Sequence, residues 1–150
     1  MRAVRVPKDG APRESKRRAH WPWRVGGYLQ RMLPPAVFVP LGLLQFATIY
    51  LATQALVGHS PLVWTVRASL GAASIVLIMY LMRVWDEFKD AENDLRMARA
   101  GDARFGLRPV LTGDVTIGDL AKLRRILIGL LLATGLPLGF PWPAAAFAVF

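Results

Sequence analysis

The sequence predicts an all-helical membrane protein, a polytopic bundle of about three spanning helices plus the start of a fourth. Three observations carry this expectation. The apolar residues stand in long blocks rather than at the spacing of a soluble core, and 54% of the 150 residues are hydrophobic. The basic residues are blocked too, between the apolar runs. Three of the apolar blocks are long, on the scale of a membrane-spanning helix, which a soluble fold does not explain.

Residues 1–27 read as a basic, partly disordered leader. Met1 to Leu33 holds nine Lys/Arg against Asp9 and Glu14. Its first half has no apolar periodicity and carries Pro7, Gly10 and Pro12, a composition that does not support a packed element. Arg17-Arg18 is followed by Ala19-His20-Trp21-Pro22, which is not the apolar lead-in of a twin-arginine export signal. A basic tail of this kind is drawn to anionic headgroups. Trp21, Trp23 and Tyr28 suit the interface, where amphipathic rings settle. Blocked charge beside apolar runs points to a lipid membrane as partner and away from nucleic acid.

The first apolar stretch, Pro34 to Gly58, has no charge and exceeds the ~20 residues a spanning helix needs. Pro34 and Pro35 suit a first turn, Pro40 is placed to kink the helix, and Gln45 and Gln54 are expected to face other helices. His59-Ser60-Pro61 makes a turn. The second stretch, Leu62 to Trp85, has Arg67 near one end, where it can snorkel. Gly71, Ala72, Ala73 and Ser74 allow close helix packing. This helix runs on by pattern into a charged segment, Arg83 to Arg125, with nine Lys/Arg and eight Asp/Glu. A third helix is expected from about Leu120 to Phe140, with Lys122, Arg124 and Arg125 snorkelling at its start. Pro141-Trp142-Pro143 then turns the chain, and Ala144 to Phe150 opens a fourth helix. His20 and His59 lie far apart and read as loop or interface residues. The absence of cysteine removes disulfides and thiolate metal sites.

The informative motif is Asp86-Glu87-Phe88-Lys89-Asp90-Ala91-Glu92-Asn93-Asp94. Asp86, Asp90 and Asp94 recur every four residues, so on a helix they fan over roughly 80° of one face. Like charges so spaced repel mildly, which a hard cation with oxygen ligands such as Mg²⁺ would relieve. Arg83 lies on the same face and is placed to contact a phosphate. The bland alternative is a solvated loop in which Lys89 and Arg96 neutralise their neighbours. An EF-hand does not fit, because the loop glycine and the alternating ligands are missing. The position favours the cation reading. Carboxylates on the end of a spanning helix suit a substrate with a diphosphate head and a lipid tail.

Asp86-Glu87-x-x-Asp90-x-x-x-Asp94 resembles the first aspartate-rich motif, NDxxDxxxD, of the UbiA superfamily of intramembrane prenyltransferases. Arg108-Pro109-Val110-Leu111-Thr112-Gly113 resembles the RPxxxG element that follows it, and Leu29-x-Arg31-x-x-x-Pro35 the approach to the family's first membrane helix. The resemblance covers residues 28–150, read as the N-terminal part of such a domain. It implies Mg²⁺-dependent transfer of a prenyl group from a prenyl diphosphate to a lipophilic, often aromatic, acceptor. It also implies that Asp86, Glu87, Asp90 and Asp94 hold the metal, with Arg83, Lys89, Arg96 and Arg108 as diphosphate contacts. No residue is singled out as catalytic. Two departures stand out. Asp86-Glu87 replaces Asn-Asp, and no acidic residue follows Asp119, so the family's second aspartate motif is not in this chain. The isolated chain is therefore expected to be inactive in transfer. The alternative is a small non-catalytic membrane protein or interaction subunit derived from the same family.

Basic residues mark the cytoplasmic side. The leader and Arg83–Arg125 hold all but Arg67 of them, which predicts a multi-pass protein of the bacterial cytoplasmic membrane with its N-terminus and acidic motif inside. Single cysteines at Ser60 and Ala103 test this with an impermeant thiol reagent on intact cells. Ser60→Cys should label from outside and Ala103→Cys only after lysis. Labelling of Ala103→Cys in intact cells reverses the topology.

Overall fold

The computed structural model describes residues 20–106 and 108–139. Every regular element in them is helical. They are α1 (Trp21–Met32), α2 (Pro35–Leu56), α3 (Val66–Arg99), a short α4 (Ala103–Gly106) and α5 (Ile117–Gly135), followed by a 3₁₀ turn at Leu136–Leu138. The leader before residue 20 and the expected fourth helix from Ala144 lie outside the described residues.

α2 and α3 are both long and apolar enough to cross a membrane. Pro35 sits in the first turn of α2, as its missing N–H allows, and Pro40 lies inside the helix without ending it. α2 is apolar all round, with Gly42 its one buried residue; Val37, Leu41, Leu44 and Ile49 are exposed. The α2–α3 connection is held by Gln54, whose amide donates to the Val63 carbonyl at 2.8 Å and accepts from the Val63 N–H at 2.9 Å. Gln54 therefore braces its own loop rather than facing another helix, and Gln45 is exposed. Thr65 caps α3 by accepting from the Ala68 N–H at 3.1 Å, which satisfies one of the free donors of the first turn.

α3 is the central element and packs against α2, α4 and α5. Gly42 faces Val76 and Met79, while Gly71 faces Phe46. Position rises on one helix as it falls on the other, so α2 and α3 form an antiparallel hairpin. Ser74 donates to Thr134 at 2.9 Å, and Arg124 lies over the Trp85 and Phe88 rings at 5.6 and 5.1 Å. By the same argument α5 runs antiparallel to α3. α5 begins three residues earlier than expected. Thr116 and Asp119 form a capping box: each side chain accepts the other's backbone N–H, which fixes the start before the apolar run begins.

The buried apolar residues form one cluster that joins α1, α3 and α5: Val25 and Tyr28, then Leu81 and Val84, then Leu120, Leu123 and Leu127. Leu33 and Val115 close it from the two loops, and the Tyr80 hydroxyl reaches the Leu33 carbonyl at 3.5 Å. α1 lies against the end of the hairpin where α3 turns from apolar to charged, and it is thereby placed beside the acidic motif.

The two kinds of glycine here should respond oppositely to substitution. A Cβ on Gly42 would sit 2.7 Å from Val76 Cγ2, so Gly42→Ala should cost about 1–3 kcal/mol by overpacking. A Cβ on Gly27 in α1 meets nothing within 4 Å, so Gly27→Ala should gain up to about 1 kcal/mol in helix propensity. Melting of the detergent-solubilised chain reads both. A fall in melting temperature for Gly42→Ala beside no fall for Gly27→Ala is expected, and the reverse order would refute this packing.

Candidate functional site

α3 runs without interruption for 34 residues, roughly 50 Å at ~1.5 Å per residue. That exceeds the ~30 Å of a hydrocarbon core, so the acidic motif is a continuation of the same rigid rod. Around its axis Asp86, Asp90 and Asp94 step about 40° each, and Glu87 falls within about 20° of Asp94. Burial follows this rotation. Asp86 is exposed, Asp90 half-buried, and Asp94 and Glu87 are buried on the stripe that contains Val84. The ladder thus crosses from solvent into the packed face instead of lying on one open side.

Two arginines answer the buried pair. Arg83 Nη2 lies 3.1 Å from Glu87 Oε1, one turn away on the same helix. Arg108 stands between the two carboxylates, 3.6 Å from Glu87 Oε1 and 3.5 Å from Asp94 Oδ2. Neither Arg108 distance is that of a charge-assisted hydrogen bond, which is nearer ~2.8 Å. Glu87 Oε1 has no hydrogen-bond partner, and neither has the buried Tyr28 hydroxyl. Burial raises the Tyr28 phenol well above its ordinary range, and the Glu87 charge raises it further. The carboxylates form the floor of the cluster, and the guanidinium groups, each rather more than a quarter exposed, form its roof.

The backbone places Arg108 firmly. Its carbonyl accepts from the N–H groups of Leu111 and Thr112, and the Val115 N–H donates to the Pro109 carbonyl. Gly113 takes φ +74°, a conformation that costs glycine little. The segment 108–113 is therefore a compact turn between the charged end of α3 and the cap of α5. The Phe105 ring lies 6.0 Å from the Arg108 guanidinium.

Of the sequence-predicted residues, the structure brings Arg83, Glu87, Asp94 and Arg108 together. Asp86 and Asp90 flank them on the open side. Lys89 is exposed, and Arg96 pairs with Glu92 on the surface at 3.1 Å. Among the described residues no three Asp, Glu or His side chains stand together as a metal-holding group. Carboxylate oxygens are the ligands that hard cations take, but here the buried Glu87 Oε1, which has no hydrogen bond, already has Arg83 and Arg108 as ion-pair partners.

Sequence reasoning missed the second buried ion pair. Arg24 of α1 meets Asp119 at 2.9 Å, and the Trp21 indole N–H donates to the Asp119 carbonyl. Arg31 meets Asp114 at 2.6 Å. These contacts fasten α1 over the loop. They leave an open cleft of about 170 Å³ between Trp23, Gly27, Tyr28 and Pro109. The Thr116-x-x-Asp119 capping box was the available signal for Asp119. A larger hollow of about 620 Å³, walled by Phe46, Tyr50 and Val63 beside the α2–α3 connection, has no acidic or basic side chain apart from His59.

No family model, curated protein or solved structure matches the chain. The site is therefore characterised by its own geometry.

Asp119 is both a helix cap and the partner of a mostly buried arginine. Asp119→Ala should cost about 3 kcal/mol, because it leaves Arg24 unpaired and the α5 start uncapped. Glu92→Ala, which removes an exposed pair, should cost less than about 0.5 kcal/mol. Comparable melting temperatures for the two variants would show that the α1–α5 tie contributes little.

Proposed function

We propose that this chain is the diphosphate-binding portion of a multi-pass membrane prenyltransferase domain similar to the UbiA superfamily, with Mg²⁺ as cofactor. One observation supports this reading above the others. A single helix long and apolar enough to span the bilayer continues directly into a cluster of carboxylates and arginines. An amphiphile with an anionic head and an apolar tail matches that succession, because tail and head meet the matching halves of one rod.

In this reading α2, α3 and α5 all lie across the membrane. The charged start of α5, with Lys122, Arg124 and Arg125, stands at the cytoplasmic boundary. Exposed Val37, Leu41 and Leu44 on α2 then meet lipid or further helices rather than water. Asp86 and Asp90, with Glu87 and Asp94 beneath them, would hold Mg²⁺, and Arg83 and Arg108 would contact phosphate oxygens. When bound, Mg²⁺ supplies charge neutralisation of the diphosphate leaving group. The chain's own contribution is to hold that head at the membrane edge and to keep the prenyl tail in an apolar wall away from water. The acceptor is a lipophilic, often aromatic, molecule by the same resemblance.

Transfer by the family draws on a second aspartate motif that these 150 residues do not contain, so the test is binding. The purified chain in detergent should retain radiolabelled farnesyl diphosphate in Mg²⁺ and release it in EDTA. Asp90→Asn should lower the Mg²⁺-dependent part at least tenfold, about 1.4 kcal/mol or more, without lowering the melting temperature. Asp102→Asn, in an exposed pair with Arg104, should bind as the parent does. Equal retention by both variants, or retention independent of Mg²⁺, would sink the assignment.

A further inference from the structure

The acidic motif contains two kinds of carboxylate, and the difference between them has a consequence for how ligands enter. Asp86 is open to solvent and Asp90 half-buried, so a cation reaches them freely. Glu87 and Asp94 are 2% and 4% exposed, and Arg83 and Arg108 stand between them and solvent. A buried carboxylate needs a compensating positive charge. A cation that displaces the arginines leaves them to water unless they acquire another anion, and an anion that takes the arginines leaves the buried carboxylates uncompensated unless they acquire another cation.

The contacts are suited to such an exchange. Arg108 spans both carboxylates at 3.5 and 3.6 Å without hydrogen-bonding Glu87. It is thus held by charge rather than by the short bidentate geometry that makes arginine–carboxylate pairs persistent. Glu87 Oε1 and the Tyr28 hydroxyl are both buried without hydrogen-bond partners, so the pocket retains unused polar capacity beneath the arginine roof.

We propose that Arg83 and Arg108 are exchangeable counter-ions of Glu87 and Asp94, so that a diphosphate group and a divalent cation bind cooperatively, each releasing the partner the other needs. This rests on the reading of the cluster as a diphosphate–cation site. It adds the rule by which the site fills: either ion alone meets a self-neutralised cluster and binds weakly, and the two together trade partners. Thermodynamic linkage requires the coupling to be reciprocal. Glu87 is central because both arginines converge on its Oε1.

Two measurements on the full 150-residue chain test this without turnover and without mixing the two ions in solution. The first is Mn²⁺ binding, followed by electron paramagnetic resonance with no diphosphate present. Arg108→Gln uncovers the carboxylates and should tighten Mn²⁺ on the order of tenfold, the scale of one close, partly screened charge pair. Arg83→Gln should act in the same direction and removes an ion pair within α3 rather than one between elements, so it carries the test if Arg108→Gln unfolds. Arg104→Gln removes the same charge from an exposed pair and should change Mn²⁺ binding less than twofold. The second is calorimetric binding of inorganic diphosphate in EDTA at physiological salt, which screens the basic leader. Glu87→Gln frees both arginines and should tighten metal-free diphosphate on the order of tenfold. Asp102→Asn should not, because Arg104 is already open to solvent.

Loss or no change of Mn²⁺ affinity in both arginine variants overturns the exchange, and so does unchanged or weaker diphosphate binding in Glu87→Gln. Failure of the prenyl reading is distinguishable. If both gains are seen but farnesyl diphosphate binds no better than inorganic diphosphate, the exchange stands and the prenyl tail is not recognised.

Discussion

A carboxylate withdrawn from water must be answered by charge or hydrogen bonds, and Glu87 is withdrawn almost completely, at 2% exposure. Much of the structure around the candidate site follows from how it is answered. Arg83 comes from its own helix, one turn back. Arg108 comes from the turn at 108–113 and therefore draws that turn against α3. Two residues after that turn comes Val115, which is fully buried, and the next residue, Thr116, opens the capping box of α5. α1 is then fastened to the same cap through Arg24 and Asp119. A chain of charge compensation thus links three helices at the end of the hairpin where apolar packing gives way to polar residues.

The helical architecture was legible because membrane-scale apolar runs leave few alternatives. Pro34 to Gly58 predicts a helix and α2 occupies Pro35–Leu56. The continuation of the second helix into the charged segment was legible from the absence of any Gly or Pro between Gly71 and Gly101, and α3 runs to Arg99. Helix contacts were less legible. Gly71 stood out in a run of small residues, whereas Gly42, equally tight against Val76, stands alone among large apolar residues. Gln54 is a further example. A polar side chain in an apolar helix is equally able to face a neighbouring helix or its own loop, and only the length of the α2–α3 connection decides.

The site was legible as a set of residues and not as an arrangement. Periodicity places Asp86, Asp90 and Asp94 along one side of a helix, but it does not say which part of that side packs. The packing boundary falls inside the ladder, so the last aspartate and Glu87 are buried while the first aspartate is open. Arg108 could be singled out by its motif, yet its dual contact with Glu87 and Asp94 depends on a turn that Gly113 permits through φ +74°. Asp119 was legible only as a capping residue, since no local pattern brings Arg24, 95 positions earlier, to its carboxylate.

The charged half of α3 is compensated differently on its two sides, and this bears on how the site can change without the fold changing. On the α5 side Arg124 lies over Trp85 and Phe88, at 5.6 and 5.1 Å from the ring centroids. That contact joins a cation to apolar surface, so it holds the two helices together whatever the state of the carboxylates. On the other side the contacts are between opposite charges, and those respond to any arriving ion. Packing and ion binding are therefore carried by separate faces of one helix. The apolar stripe through Leu81 and Val84 lies between them, with both residues at most 1% exposed. Repartnering of Arg83 or Arg108 need not disturb that stripe, because neither guanidinium forms part of its apolar packing.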